Sequence, residues 1–358
     1  FLSLTPKQAT IRKWLYAGYV YSVIVAIILI PIRSFVSRYA LDGQDPFGWA
    51  IGYLFGNVRE LRSFVVTNSL EQWVSFPSLP SSSIPTAPLG RAEHLRIIVV
   101  GPANTRLLIC GWCLLILSVG MLAVLRLTSI VEVDTRRKVF HGMMVAMLLP
   151  TIFVDPAFIS LALVLILAIF LLLDLIRASQ LPPLSKPIAY FLTPYVDGRD
   201  LRGPVVVSHI FLLIGCAIPL WLSLAALPRS GTPPWQGWEV QGRDVSMVAG
   251  VICVGMGDAA ASLIGRRYGR RKWPWAGGKS FEGSAAFAVA VTVGLSAARV
   301  WSWLGQWEEF PGVMGVGGMV VRSVGAACGA SFMEAVLTGG NDNVVVPVVL
   351  WLLVRAVD

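Results

Sequence analysis

The sequence predicts an all-α, multi-pass transmembrane helix bundle, on three observations. Of 358 residues, 56% are hydrophobic and only 14% charged, with a mean hydropathy of +0.71, so there is too little polar surface to wrap a water-soluble body of this size. The apolar residues also fall in long blocks, enough to cross roughly 30 Å of hydrocarbon as helices. The strict alternation of a transmembrane β-barrel strand is missing. Collagen-like, coiled-coil and disordered compositions are excluded as well.

About nine spans are predicted, each an apolar run closed by charge, Pro or Gly. They cover 14–32, 106–125, 139–154, 156–175, 204–226, 244–265, 281–303, 312–337 and 343–357. The first starts at Trp14 and has no small-residue cleavage site after it, so it reads as a span and not as a leader. The second and third are separated by the charged stretch 126–138, the third and fourth by a tight turn at Asp155-Pro156. Residues 33–105 are poorly patterned, and their Ser/Pro-rich part, 75–90, reads as a flexible loop. The expected division is therefore 1–105, an N-terminal span with a loop region, and 106–358, a membrane-embedded domain. Cys110, Cys113, Cys216, Cys253 and Cys328 all lie in apolar blocks, where a thiol acts as a small hydrophobe. Neither a disulfide framework nor a zinc site is implied, and Cys110-Gly-Trp-Cys113 lacks the βαβ setting of a redox pair.

Alternating spans put the connections on two faces, and cytoplasmic connections collect Lys and Arg. One face carries Arg126, Arg136, Arg137, Lys138, Arg177, Lys186, Arg199, Arg202, Arg266, Arg267, Arg270, Arg271, Lys272 and Lys279; the opposite face carries only Arg229 and Arg243. The first face is expected to be cytoplasmic. Topology alone does not account for 265–280, where Arg266, Arg267, Arg270, Arg271, Lys272 and Lys279 alternate with Gly265, Gly269, Gly277 and Gly278. Cations beside flexible Gly backbone suit a polyphosphate, which both charge and close N–H groups can hold. A surface patch for anionic lipid is the alternative. A nucleotide site is favoured.

Ionisable residues inside spans are costly and mark function. Asp258, among the small residues of Gly255-Met-Gly-Asp-Ala-Ala-Ala-Ser262, is expected to bind Mg²⁺ on the nucleotide's phosphates, since Mg²⁺ takes one or two carboxylates plus substrate oxygens; a structural pair with an Arg is the alternative. In Lys279-Ser-Phe-Glu-Gly283, Ser280 and Glu282 read either as a helix cap with a first-turn acid or, with Lys279, as a phosphate-binding helix start. Glu334 belongs to the same face or pairs with Arg322, and Asn341-Asp-Asn343 is either an ordinary capped turn or part of the site. His141 follows Arg136-Arg-Lys138 at a span's start, and 197–204 leads into the span bearing His209. All these motifs converge on one face.

Taken in order, Arg137-Lys-x-x-His141, Asp197-Gly-Arg-Asp-x-Arg-Gly-Pro with His209-Ile-x-Leu-Leu-x-Gly-x-x-x-Pro-Leu-Trp221, Gly257-Asp-Ala-Ala-Ala-Ser262, Gly265-x-x-x-Gly269, Lys279-Ser-x-Glu-Gly283 and Asp342-Asn-x-x-x-Pro347 resemble the CTP-dependent polyprenol kinases. The resemblance covers about residues 130–358. It implies a catalytic domain that moves the γ-phosphoryl group of CTP to the terminal hydroxyl of dolichol or another polyprenol, at the cytoplasmic face of the endoplasmic reticulum membrane, for protein glycosylation. The catalytic residues would be Asp258, Glu282, Asp342 and His141, with metal on Asp258 and Glu282. Arg137, Lys138, Gly265, Arg266, Arg267, Arg270, Arg271, Lys272, Gly277, Gly278, Lys279, Ser280, Gly283 and Asn343 would bind CTP. The partners expected are CTP, the polyprenol and membrane lipids, with Mg²⁺ or another divalent cation and no nucleic acid. The Gly-Asp and Lys-Ser-x-Glu-Gly elements also look like those of phosphatidate cytidylyltransferases, which carry a further acidic signature near the C-terminus that is missing here. No Walker A or protein-kinase catalytic loop is present. A transporter for an anion is the alternative of another class, and the apolar far halves of 156–175, 204–226 and 281–303 speak against it.

Overall fold

The computed structural model describes residues 4–76, 89–127, 133–193, 206–275, 277–337 and 341–357. Among the described residues there is no strand, and extended pairing is confined to isolated bridges, Ser230 with Glu239 and Lys272 with Ser280. We number the helices α1 (Pro6–Ala40), α2 (Pro46–Phe55), α3 (Arg59–Thr67), α4 (91–100), α5 (Pro102–Leu127), α6 (Val133–Val154), α7 (Pro156–Ala178), α8 (Ser185–Leu192), α9 (Val207–Ala226), α10 (Val245–Tyr268), α11 (Phe281–Gly305), α12 (Gly312–Val336) and α13 (Asp342–Val357).

Eight of these are long and apolar enough to cross a membrane: α1, α5, α6, α7, α9, α10, α11 and α12. The class and most boundaries agree with the apolar runs to within a few residues. Two differences have physical causes. The first span reaches from Pro6 to Ala40, because Thr5 and Gln8 form a capping box before Pro6 and a π-turn at Ile28–Ile32 accommodates Pro31 without ending the helix. The ninth expected span is α13, whose 16 residues reach only about 24 Å, and which buries Val346, Pro347, Leu350 and Val354 against its neighbours. Three short helices also stand where 33–105 looked unpatterned. Asp45, for example, caps α2 by accepting from Phe47 N at 3.1 Å and Gly48 N at 3.0 Å. The loop expected at 75–90 lies mostly outside the described residues.

By contact the chain forms two compact units: 1–81 with 169–206 and 232–235, and 82–168 with 207–231 and 236–358. In the first, Ala17 of α1 packs with Ile176 and Leu181, and Trp49 and Tyr53 of α2 meet the edge of Trp235 with ring centroids 5.2 and 5.3 Å apart. The second is built around α10, which touches α6, α9, α11 and α13. Over its most apolar window α10 is 56% buried against 6% for α1, which marks it as the axis of its unit.

At the end of this second unit where α10 begins, charges that no single motif announced are buried together. Asp155 accepts from Arg106 Nε at 3.1 Å and Arg96 Nη1 at 3.4 Å, while Glu93 takes Arg96 Nε at 3.0 Å and Arg243 Nη2 at 2.8 Å. Burial lowers the pKa of Arg96, but Asp155 and Glu93 outweigh it and the net shift is upward; at Arg243 burial prevails over Glu93 and brings it to about 10. The far halves of α7 and α9 are apolar as expected, whereas α11 buries Arg299 there and α5 carries Arg106. The other charges of this cluster come from the residues between and just before the spans, α4, Asp155, Glu239 and Arg243, whose meeting only the fold produces.

Candidate functional site

The opposite end of α10 carries a pocket lined by Cys253, Val254, Asp258, Phe287, Glu334, Asp342, Asn343 and Val346. Its position follows from local structure. Cys253–Asp258 is a π-turn inside α10, a widening that aims one side chain out of the regular ladder. Gly255 lies bare against α6: a methyl there would fall 3.3 Å from His141 O and closer still to Val145. Because nothing projects at that point, α6 comes close enough for two of its side chains to reach Asp258. Lys138 Nζ is 2.7 Å and His141 Nε2 3.2 Å from Asp258 Oδ2. Both contacts fall on the same oxygen, which leaves Oδ1 to the pocket. His141 Nδ1 is in turn 2.9 Å from Arg137 O, so both ring nitrogens lie beside oxygen atoms.

The second wall comes from the segment between α10 and α11. Trp273 N donates to Lys279 O at 3.0 Å and Phe281 N to Arg271 O at 2.9 Å, folding it into a hairpin whose far side passes through Gly277 and Gly278, both at positive φ. Trp273 stacks on Trp275 with centroids 4.7 Å apart and lies 3.8 Å from Phe281. The indole of Trp273 donates to Ser284 Oγ at 3.0 Å and that of Trp275 to Ala335 O at 2.6 Å. Lys279 is thereby carried to α12, where its Nζ is 2.6 Å from Glu334 Oε1 and 3.6 Å from Asp342 Oδ2. The pocket is thus lined by three carboxylates with Lys138, His141 and Lys279 standing behind them, and its remaining wall is Asn343 together with apolar side chains. Charge-assisted contacts of this kind hold a carboxylate both ionised and fixed.

Of the residues singled out in the sequence, Asp258, Glu334, Asp342 and Asn343 line the pocket, and Lys138, His141 and Lys279 touch its acids. Ser280 caps α11 by accepting from Gly283 N at 3.1 Å, and Gly265 and Gly283 lie face to face where α10 and α11 cross. Glu282 does not line the pocket: its carboxylate accepts from Arg271 N at 3.2 and 3.3 Å. Arg266, Arg267, Arg270, Arg271 and Lys272 are exposed and do not line the pocket. Glu334 pairs with Lys279 and not with Arg322, which donates to Val357 O at 2.8 Å. Cys253, Val254, Phe287 and Val346 are pocket residues that the sequence reading did not assign to the site; an apolar side chain in an apolar span gives no signal. His209 is half-buried in α9, and the motif at 197–204 lies outside the described residues.

The chain is similar to dolichol kinases. It is 35% identical over 223 residues to one from Schizosaccharomyces pombe, covering 62% of this chain and 39% of that protein. To one from Arabidopsis thaliana it is 38% identical over 183 residues, 51% of this chain and 30% of the relative. To the human one it is 36% identical over 161 residues, 44% and 28%. The chain therefore spans about two fifths or less of the length of these relatives. No family model and no solved structure matches it.

Proposed function

We propose that this chain carries the catalytic site of a CTP-dependent dolichol kinase, which transfers the γ-phosphoryl group of CTP to the terminal hydroxyl of dolichol or a similar polyprenol. The similarity to dolichol kinases supports the reaction. The observation that carries the reading is Asp258: a carboxylate in an apolar helix, with Oδ2 held by Lys138 and His141, in a pocket whose other wall is Phe287, Val254 and Val346. An acceptor that is one hydroxyl on a long hydrocarbon needs such a place, where carboxylates stand opposite an apolar wall.

In the step proposed, the hydroxyl oxygen attacks the γ-phosphorus, its proton passes to Asp258 Oδ1, and CDP leaves with the electrons of the broken P–O bond. Lys138 and His141 hold Asp258 in place through its other oxygen. Arg266, Arg267, Arg270, Arg271 and Lys272, exposed at the C-terminal end of α10 and in the hairpin after it, spread the triphosphate's charge, and Arg137 approaches from α6. Among the described residues no group of three or more His, Cys, Asp or Glu has the arrangement of a protein-only metal site. Mg²⁺ does not require one, because it keeps substrate oxygens and water. Asp342, which shares the pocket with Asp258, suits it while Asp258 takes the proton, whereas Glu282 is bound to a backbone amide. Mg²⁺ held there would neutralise charge on the phosphates. The site would face the cytoplasm at the endoplasmic reticulum membrane, supplying dolichyl phosphate for glycosylation, an assignment supported by the Lys and Arg bias.

The test is product analysis with CTP labelled at the α- or γ-phosphorus, offered together with dolichol and phosphatidic acid. The expected result is γ-label in dolichyl phosphate, CDP released, and loss of transfer in Asp258→Asn. Pyrophosphate with a CDP-lipid would overturn the kinase in favour of a cytidylyltransferase.

A further inference from the structure

Glu334 lines the pocket yet takes no part in the steps above. We propose that it is a positioning residue: it holds the Lys279 ammonium at the edge of the pocket, where Lys279 meets a phosphate of the nucleotide. The inference rests on reading the site as a nucleotide site.

Lys279 Nζ is 2.6 Å from Glu334 Oε1 and also 2.6 Å from Glu334 O. An ammonium has three N–H donors in fixed tetrahedral directions, so two bonds to one residue set both its place and its rotation. Asp342 Oδ2, which lines the pocket, is 3.6 Å from the same Nζ and beyond hydrogen-bond length, so the third N–H is not spent on it. That N–H is the one a phosphate oxygen in the pocket would take.

Glu334 is itself well anchored. The next residue along α12 gives its carbonyl to Trp275, and one turn earlier Ser331 Oγ donates to Ser284 O at 2.7 Å. The end of α12 is therefore tied to the hairpin and to the first turn of α11, the elements on either side of Lys279. Electrostatics make the anchor necessary. Lys279 directly precedes Ser280, the cap of α11, where the positive end of the helix dipole repels a cation. A flexible four-carbon stem would let the ammonium turn out to solvent beside Arg270, Arg271 and Lys272, and the Glu334 carboxylate offsets that tendency.

The experiment uses the full chain in lipid nanodiscs and follows CTP binding at equilibrium, initial rates against CTP and against polyprenol, and the thermal midpoint. Glu334→Gln is expected to raise the Kd and KM for CTP about tenfold or more, as for loss of one charge-assisted hydrogen bond, with the polyprenol KM unchanged. Glu334→Asp should restore part of the affinity. Trp275→Phe, which leaves both charges in place, should raise the CTP KM more modestly and serves as a second readout if Glu334→Gln does not fold. In a Lys279→Ala background Glu334→Gln should add nothing. A variant that lowers the thermal midpoint while CTP binding stays at the wild-type value overturns the proposal, as does a full additional penalty in the Lys279→Ala background. Wild-type protein that neither binds CTP nor transfers phosphate would refute the nucleotide reading and this inference with it; wild type that does both, with Glu334 variants binding normally, refutes this inference alone.

Discussion

A charge inside an apolar bundle persists only where a partner reaches it, and the two ends of α10 show two uses of that rule. At one end Asp258 has partners on one oxygen and faces a pocket with the other. At the other end Asp155, 3% exposed, meets Arg96 and Arg106 and also accepts from Phe158 N at 3.0 Å, so that its acceptors are spent on protein groups. The first arrangement leaves capacity for a ligand; the second closes a joint between α4, α5 and the turn before α7. Asp155→Asn keeps the volume and removes the charge, leaving two guanidinium groups buried beside it. We expect it to destabilise the protein by about 3 kcal/mol, seen as a lower midpoint of thermal unfolding in detergent, with the rate per folded molecule little changed. An unaltered midpoint would show that Glu93 and Glu239 suffice for both arginines.

At the scale of an element, the chemistry proposed for Asp258 depends on a defect in a helix. A regular α-helix through Cys253–Asp258 would turn Asp258 to a different azimuth, and a side chain at 255 would hold α6 away. Gly255→Val tests the second point. It places methyl groups against Val145 and His141 O, an overpacking cost of about 1–3 kcal/mol that a large bundle survives. Separating Lys138 and His141 from Asp258 by even 1 Å should lower kcat about a hundredfold. Near-normal kcat in a well-folded Gly255→Val protein would mean that the close approach of α6 does not matter to the chemistry. The hairpin after α10 is the other decisive element: its two tryptophans lie across α11 and α12 and leave Arg270, Arg271 and Lys272 exposed while Lys279 turns inward.

For the whole molecule the consequence is sidedness. α10 is 24 residues long, and position 270 follows its C-terminal end whereas 236 precedes its N-terminal end, so the two report opposite ends of one span. If the basic end faces the cytoplasm, Arg270→Cys in intact microsomes reacts with an impermeant maleimide and Gln236→Cys does so only after permeabilisation, each compared with the parent chain. The reverse pattern would place the pocket on the side away from cytosolic nucleotide.

Hydropathy by itself determined the helical class, nearly all the span boundaries and the end of the bundle to which the polar motifs belong. Those properties depend on transfer free energies that add residue by residue along the chain, and each stretch carries its own answer. Asp258, Lys138, His141, Lys279 and Asp342 were legible as a group for the same reason, as polar residues that cross-membrane alternation sends to one end. Which of them touch was decided by tertiary structure alone. The pairing of Glu334 with Lys279 and not Arg322, the turning of Glu282 to a backbone amide and the burial of Arg96, Arg106 and Arg243 around Asp155 and Glu93 all depend on distances between helices far apart in sequence. Such contacts come from how close two helices pass, which at Gly255 depends on a missing side chain and at Trp275 on the reach of one indole; no local pattern of residues encodes either.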